Sequence, residues 1–228
     1  MKIGIVVADR EEWKPLREQV EKGNYREETF LGREVLCFFL PNGAQAEAIL
    51  CGIGKVNAAA AAAHLADSGC HAVLNYGLSG GISGVARGEI CVCDRFLEHD
   101  FDLTGIGYKP CEKPDQRYIY SADRKLTERS LALAPGAKTG TAVTGDTFVS
   151  DPALRDFLKT QFHAMCCDME TAAIAYVCEY AGIPFASVRR ISDDAGNDAI
   201  ESYREMNRMH EMHLHDLILR CAAGLETL

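Results

Sequence analysis

The chain alternates between short apolar runs and segments with the periodicity of amphipathic helices. In residues 2–8 (KIGIVVA) a lysine is followed by a continuous apolar run, which is typical of a strand buried on both faces, and residues 9–22 follow with a polar-faced helical pattern. The same alternation continues along most of the sequence. Strands are predicted at 2–8, 26–31, 33–40, 45–51, 72–77, 89–97, 138–145, 163–167 and 185–191, and helices at 9–22, 55–68, 123–134, 151–161, 169–181 and 199–224.

Two stretches interrupt this alternation. A glycine-rich loop is expected from the end of strand 72–77 through Gly84, and residues 98–121 are rich in turn formers. No low-complexity linker or internal repeat divides residues 1–228, so a single domain is expected. Strands that alternate with helices predict an α/β fold, with a mixed, mostly parallel central sheet flanked by helices.

Composition narrows the class of partners. The chain has 33 acidic residues against 24 basic ones, and its formal net charge is −9. Such a surface repels phosphate backbones and anionic lipids, so neither nucleic acid nor a membrane is an expected partner. The apolar run at 2–8 is followed at once by charged residues and lacks the features of a signal peptide, which favours a cytoplasmic location.

Neither the cysteines nor the histidines predict a metal site. Most of the ten cysteines lie in apolar runs and none forms a CxxC pair, which favours reduced thiols that serve as small core residues. His210, His213 and His215 share the predicted last helix, where a solvated face is the more frequent explanation. No metal or other cofactor is therefore expected.

Acidic residues follow three of the predicted strands. These residues are Asp193 and Asp194 after 185–191, Asp168 and Glu170 after 163–167, and Asp9, Glu11 and Glu12 after 2–8. Each group taken alone fits a helix cap or a turn. Active sites in α/β sheets lie beyond the carboxyl ends of strands, however, so the three groups together also predict a catalytic cluster.

Seven segments carry a more specific pattern. They are MKIGIVVADREE (1–12), GIGKVNAA (52–59), NYGLSGG (75–81), HDFDLTGIGY (99–108), VTGDTFVSD (143–151), CDMETAAIAYVC (167–178) and VRRISDDA (188–195). In order and spacing they resemble the nucleoside phosphorylase and nucleosidase superfamily, and within it the bacterial 5′-methylthioadenosine/S-adenosylhomocysteine nucleosidases. The resemblance implies a nucleoside phosphorylase-like fold and hydrolysis of the N-glycosidic bond of a purine nucleoside, without a cofactor.

The resemblance also implies roles for individual residues. The leaving base needs a proton, which a carboxylic acid of raised pKa can supply, and this role falls to Asp193. Glu12 is expected to activate water on the sugar side, and Glu170 is expected to accept hydrogen bonds from the ribose hydroxyls. The further matching positions are Met169 beneath the sugar, Arg189 beside the water, and Phe148 and Val149 at the base. Without the resemblance, Phe148 fits an ordinary core position.

The resemblance also implies which residues line the end of the pocket that receives the 5′ substituent. Ile53, Leu103, Ile106, Pro114 and Tyr203 match positions that line the 5′ pocket in the family. In related dimers a neighbouring subunit supplies part of that lining. The resemblance therefore implies a homodimer with a shared 5′ pocket and a purine nucleoside as substrate.

Three positions depart from the family pattern. Asp9 stands where a Met is common near the sugar and the 5′ group, and Leu78 stands where a small hydroxyl residue is common. Asp168 is one methylene shorter than the usual Glu. Asp9 favours a polar or cationic 5′ substituent, and the identity of that substituent stays open, as does the choice between adenine and hypoxanthine.

Other functions compete with this interpretation. A phosphorylase would use phosphate in place of water, but the carboxylate of Glu12 and the alkyl group of Leu78 are poor phosphate ligands. A non-catalytic nucleoside-binding protein would keep the pocket without the three carboxylates, and here all three are present. A nicotinamide-dependent oxidoreductase is disfavoured because the glycines at 52–54 and 77–84 do not form a dinucleotide fingerprint.

Overall fold

Strands and helices alternate along the chain in the computed structural model, which describes residues 1–208 and 214–225. The strands are β1 (Lys2–Val7), β2 (Tyr25–Phe30), β3 (Arg33–Phe39), β4 (Gln45–Leu50), β5 (Ala72–Gly81), β6 (Ile90–Glu98), β7 (Ile119–Ser121), β8 (Lys138–Thr144), β9 (Ala164–Asp168) and β10 (Phe185–Asp193). The helices are α1 (Arg10–Val20), α2 (Lys55–Asp67), α3 (Arg124–Leu133), α4 (Pro152–Phe162), α5 (Thr171–Ala181), α6 (Ala199–Arg208) and α7 (Leu214–Ala223).

The strands form one mixed sheet, part of which closes on itself. β5 pairs with β10, β10 with β6, β6 with β8, β8 with β9, and β9 returns to β5, so these five strands make a ring. From β5 the sheet also extends as an open arm through β1, β4 and β3 to β2. Among the described residues, five strand pairs are parallel and five antiparallel, so both directions are equally represented.

Helices cover both faces of the sheet, as the alternation predicts. On one face α1, α3 and α7 bury Leu16, Leu126 and Ile218 against the strands. On the other face α2 and α5 pack together through small residues such as Ala61 and Ala172, whose side chains let the helices approach closely. The two apolar layers fix the strands, and thereby fix the positions of the strand ends.

β5 and β10 both extend further than the sequence predicts. The glycine-rich segment after 72–77 was expected to be a loop, but β5 continues through Gly81, and β10 continues through Asp193. Gly80 pairs with Asp193 in the parallel register of the two strands. A Cβ at Gly80 would lie 3.0 Å from Cys167 Sγ and 3.1 Å from Asp193 Oδ1, so glycine here permits close packing within a strand.

Two further expectations need adjustment. Residues 98–121 are not irregular throughout, because they contain β7 and a 3₁₀ turn at Thr104–Ile106, both too short to leave a periodic pattern. The predicted helix 199–224 corresponds to α6 and α7. Residues 209–213 lie outside the described residues, and the proposed solvated face around His210 and His213 lies there with them.

The cysteines behave as the sequence predicts. All ten are free, and nine of them are buried. Cys93 and Cys166 lie with their sulfurs 3.8 Å apart in the apolar layer beneath α5, with no disulfide between them. In the part of the chain that the structure describes, no helix has the length and apolar character needed to cross a bilayer.

Candidate active site

A cavity of about 340 Å³ lies at the carboxyl ends of β1, β5, β8, β9 and β10. Its lining includes twelve residues singled out from the sequence: Asp9, Glu12, Ile53, Leu78, Phe148, Val149, Asp168, Met169, Glu170, Arg189, Asp193 and Tyr203. The lining is completed by Ala8, Ser79, Gly80, Thr147, Cys167 and Ser192. Leu103, Ile106 and Pro114 are not among the lining residues of the described chain.

Glu12 lies on the buried side of α1, where one hydrogen bond holds its carboxyl group and another holds its backbone. The Leu78 backbone N–H donates to Glu12 Oε1 at 2.7 Å, and the Tyr76 hydroxyl donates to the Glu12 backbone carbonyl at 3.0 Å. Burial raises the pKa of Glu12 to about 8, although Arg189 and the Leu78 N–H act in the opposite direction. The carboxyl group can therefore exchange a proton close to neutral pH, as a catalytic base must.

Gly77 provides the space for this arrangement. A Cβ at Gly77 would lie 2.9 Å from both carboxylate oxygens of Glu12 and 3.0 Å from Arg189 Nη1. Gly77→Ala should therefore displace both groups, lower catalytic turnover, and lower the free energy of unfolding by about 1–3 kcal/mol, measured by thermal unfolding.

Gly23→Ala is the matched control for this substitution, because a Cβ at Gly23 meets only the Val20 carbonyl at an ordinary 3.7 Å. It should leave activity and unfolding close to those of the unmodified protein. Wild-type activity and stability in Gly77→Ala would contradict the close packing described here.

Arg189, on β10, is a buried cation in the lining of the cavity. Only 3 % of it is exposed. Its Nε donates to Ser79 Oγ at 2.8 Å, Nη1 to Asn75 Oδ1 at 3.0 Å, and Nη2 to the Leu78 carbonyl at 2.6 Å. Because all three nitrogens are engaged by neutral acceptors, the guanidinium is fixed in place and balances the surrounding carboxylates from one side.

Asp168 shapes the turn between β9 and α5. The sequence suggested Asp168 as the N-cap of a helix beginning at 169, but α5 begins at Thr171 and Glu170 occupies the N-cap position. Asp168 Oδ1 instead accepts hydrogen bonds from the backbone N–H groups of Glu170 at 3.1 Å and Thr171 at 3.0 Å. The side chain of Glu170 is thereby free to point into the cavity rather than cap its own helix.

Glu170 is held by the segment that begins α2. Its Oε1 accepts a hydrogen bond from the Gly54 N–H at 2.9 Å, and its Oε2 lies 3.9 Å from Arg189 Nη2. Burial raises the pKa of Glu170 to about 7, and the neighbouring Asp168 adds to the effect. This acceptor lies at a helix N-terminus, where a negative charge is favoured.

Asp193 ends β10 and is 3 % exposed. The Ser192 hydroxyl donates to its Oδ2 at 2.6 Å, and the Ala195 N–H donates to its Oδ1 at 2.8 Å. Burial raises the pKa of Asp193 above its usual range, against the effect of these two hydrogen bonds. A carboxyl group that is positioned and has a raised pKa is suited to donate a proton.

An aromatic and apolar wall faces these acids. The Phe148 and Tyr203 rings are 5.5 Å apart between centroids at an interplanar angle of 66°, and Met169 and Val149 line the same cavity. Phe148 is 40 % exposed, so it is not the core residue that its sequence position alone would also allow. This wall can accept a flat heterocycle.

Hydrogen-bonding residues of β5 complete the site and were not predicted. Asn75 and Ser79 lie on one face of the strand with Gly77 between them, and both accept hydrogen bonds from Arg189. Ser192, bonded to Asp193, was also missed as a contributor. The available signal was a polar Asn within the apolar run AVLNYG, since a buried amide requires hydrogen-bond partners.

Comparison with known proteins gives one consistent family. Residues 2–223 match the family model described as the phosphorylase superfamily. A 5′-methylthioadenosine/S-adenosylhomocysteine nucleosidase of Geobacillus sp. (strain WCH70) is 34 % identical over 99 % of this chain and 100 % of its own length.

Solved structures agree with this similarity. The S-adenosylhomocysteine nucleosidase of Streptococcus pyogenes, in complex with 5-methylthiotubericidin, superposes with a TM-score of 0.90 at 28 % identity, over 100 % of this chain and 98 % of that one. The 5′-methylthioadenosine/S-adenosylhomocysteine nucleosidase of Neisseria meningitidis, in complex with methylthio-immucillin-A, gives a TM-score of 0.90 at 28 % identity, over 98 % and 99 % of the two chains.

Proposed function

Because this chain belongs to the phosphorylase superfamily, and within it to the 5′-methylthioadenosine/S-adenosylhomocysteine nucleosidases, we propose that its cavity binds an adenine nucleoside and hydrolyses it. The chain is an N-glycosyl hydrolase. The observation that carries the assignment of roles is that three buried carboxyl groups, Glu12, Glu170 and Asp193, line one cavity and that burial raises the pKa of each.

Asp193 is the general acid of the proposed reaction. As the bond between C1′ and the base breaks, electrons move onto the purine, and Asp193 donates its proton there, at N7 as the family resemblance implies. The Ser192 hydroxyl and the Ala195 N–H stabilise the carboxylate that remains, because each donates to one of its oxygens. The base leaves as neutral adenine instead of as an anion.

Glu12 and Glu170 act on the ribose side. Glu12 accepts a proton from the water whose oxygen adds to C1′, so that the products are adenine and a ribose derivative. Glu170 accepts hydrogen bonds from the ribose hydroxyls, and Met169 packs beneath the sugar. Arg189 lies on the water side of the site, where it donates to the Leu78 carbonyl and lies 3.9 Å from Glu170, and so helps to position the groups around the water and the ribose.

Water is favoured over phosphate as the nucleophile because the described residues offer the cavity little positive charge. Among them, the lining contains Asp9, Glu12, Asp168, Glu170 and Asp193 against the single guanidinium of Arg189, each nitrogen of which already donates a hydrogen bond. The Leu78 N–H is likewise taken by Glu12. A dianion would therefore meet carboxylates without compensating donors.

Adenine release from 5′-methylthioadenosine should accordingly proceed at the same rate with and without inorganic phosphate. The purified protein would be assayed in a phosphate-free buffer and again with added phosphate, with chromatography of the sugar product. The expected product is the free 5-methylthioribose. Strict dependence on phosphate, with a ribose 1-phosphate product, would overturn the hydrolytic assignment, and no release from any purine nucleoside would leave only a binding function.

We also propose a homodimer with a shared 5′ pocket. Apolar side chains are exposed at two positions that the family resemblance assigns to the 5′ pocket, Ile106 by 73 % and Ile53 by 51 %, and Val56, three residues after Ile53, is exposed by 81 %. A second copy that covered them would bury apolar surface at the position where the family resemblance expects a neighbouring subunit. A reducing cytoplasm is the proposed compartment, which agrees with ten free cysteines.

A further inference from the structure

A second cavity opens beside the 5′ end of the first. It has a volume of about 400 Å³ and shares the residues Ala8, Asp9 and Ile53 with the nucleoside cavity. We call it the outer cavity; the rest of its lining is Arg10, Glu27, Thr29, Gly32, Arg33, Glu34, Leu50 and Gly52. Because the two cavities meet at these three residues, a 5′ substituent that extends past them would enter the outer cavity.

Two arginines in the outer cavity lack a carboxylate partner. Neither Arg10 nor Arg33 forms an ion pair with another residue in the described ranges 1–208 and 214–225. Arg33 donates a hydrogen bond to Asn57 Oδ1 at 3.3 Å, and its guanidinium lies flat against Gly52, where a Cβ would be 3.0 Å from Cζ, Nη1 and Nη2. This contact holds the planar donor group at the cavity wall.

The acidic residues of the opposite wall are already paired. Arg17 Nη2 donates to Glu27 Oε2 at 2.9 Å, and the other terminal nitrogen of Arg17 contacts Glu34. Glu34 Oε1 also accepts a hydrogen bond from Trp13 Nε1 at 2.9 Å. Arg17 thus engages both acids, whereas no carboxylate of the described residues engages Arg10 or Arg33, so that the N–H groups of these two arginines are the donors that the outer cavity offers to an anionic ligand group.

Asp9 lines both cavities, and only one of its two carboxylate oxygens accepts hydrogen bonds from the described residues. Its Oδ1 accepts hydrogen bonds from the Glu11 N–H at 2.8 Å and from Asn207 Nδ2 at 3.5 Å. Its Oδ2 accepts none from the described residues. An acceptor for a cationic or N–H-bearing group thus lies beside donors for an anion, and this arrangement complements a zwitterion.

We propose that the outer cavity binds the charged end of a 5′ substituent that carries an α-amino acid, with the carboxylate on Arg33 and Arg10 and the ammonium on Asp9. The proposal rests on the proposed nucleosidase function, because it extends the same substrate. Arginine suits the carboxylate since its planar fork can donate two parallel hydrogen bonds. S-adenosylhomocysteine has such an end, and 5′-methylthioadenosine lacks both charges.

The test compares three nucleosides that differ only in the 5′ tail: S-adenosylhomocysteine, its decarboxylated analogue with a terminal amine, and 5′-methylthioadenosine. In an R10Q/R33Q double variant, the ratio of kcat/KM for S-adenosylhomocysteine to that for 5′-methylthioadenosine should fall by about tenfold or more. The ratio of kcat/KM for the decarboxylated analogue to that for 5′-methylthioadenosine should fall much less. Arg124→Gln, which removes one positive charge from an 86 % exposed side chain on α3, should leave both ratios unchanged.

An unchanged ratio for S-adenosylhomocysteine in the double variant would overturn the proposed subsite. Calorimetric binding of the same nucleosides to Asp193→Asn protein, with and without the two arginines, separates this outcome from failure of the nucleosidase assignment. If the wild-type protein cleaves none of the three, that assignment fails. The ratio of the Kd for S-adenosylhomocysteine to that for 5′-methylthioadenosine, measured with and without the two arginines, then still decides whether Arg10 and Arg33 recognise the carboxylate.

Discussion

Asp193→Asn should reduce adenine release by about 10²–10⁴-fold, the range expected when a general acid is lost. Asparagine preserves the shape of the side chain, and its amide oxygen can still accept the hydrogen bond that the Ala195 N–H donates to Asp193 Oδ1 at 2.8 Å. It cannot deliver a proton to the departing base. The loss should therefore appear in kcat, measured by single-turnover release of adenine, while the Kd for the nucleoside changes little.

The neighbouring Asp194 provides a matched control. Its side chain is 74 % exposed, and its Oδ1 accepts a hydrogen bond from the Gly196 N–H at 3.1 Å. Asp194→Asn removes the same charge one residue away and should leave kcat close to that of the wild-type protein. Equal losses in the two variants, or near-normal turnover in Asp193→Asn, would show that the acid lies elsewhere.

Glu12→Gln should also lower kcat by about 10²–10⁴-fold, because the water would lose its proton acceptor. In the wild-type protein the active form of Glu12 is the carboxylate, and its pKa is about 8. The wild-type kcat/KM should therefore rise with pH on the acid side of about 8, and this rise should be absent in the variant. Glu18→Gln, at an exposed position of the same helix, should keep both the activity and the pH profile.

Glu12→Gln should also stabilise the protein at alkaline pH. The pKa of Glu12 is raised from 4.5 to about 8 in the folded state, so the folded protein binds a proton more tightly than the unfolded chain does. The contribution of the Glu12 carboxyl group to the free energy of unfolding is therefore full below pH 4.5, and it is lost as the pH rises through about 8. Melting temperatures should be similar for the two proteins at acidic pH, with Glu12→Gln the higher above pH 8. A lower Tm for the variant at alkaline pH would mean that Arg189 outweighs burial.

Much of the site could be predicted because its residues lie in contiguous segments. Glu12, Glu170 and Asp193 each lie at or just beyond the carboxyl end of a strand, and the general rule for α/β sheets locates the active site there. Taken singly, each carboxylate also fitted a cap or a turn. The cavity that they share depends on the pairing of β5 with β10, which brings residues more than one hundred positions apart into contact.

The features that were missed depend on pairing that local patterns do not encode. The run of glycines at 77, 80 and 81 suggested that the strand ends at 77 and is followed by a loop, because local propensity disfavours glycine within a strand. Their backbones pair with neighbouring strands, and the absence of side chains makes room for Glu12, Cys167 and Asp193. The closure of five strands into a ring likewise follows from long-range register, which no periodicity of the sequence specifies.

The ring of five strands also affects the tendency of the protein to aggregate at high concentration. A strand without a neighbour presents free N–H and C=O groups that can pair with another molecule and begin aggregation, and ring closure largely removes this hazard for β5, β6, β8, β9 and β10. In the part of the chain that the structure describes, the long free edge that remains is β2, at the end of the arm, where Arg26, Glu27 and Glu28 are exposed. Intermolecular pairing along β2 would bring these charges against those of a second copy. Protection against edge-to-edge aggregation therefore rests on three charged side chains at the opposite end of the sheet from the ring.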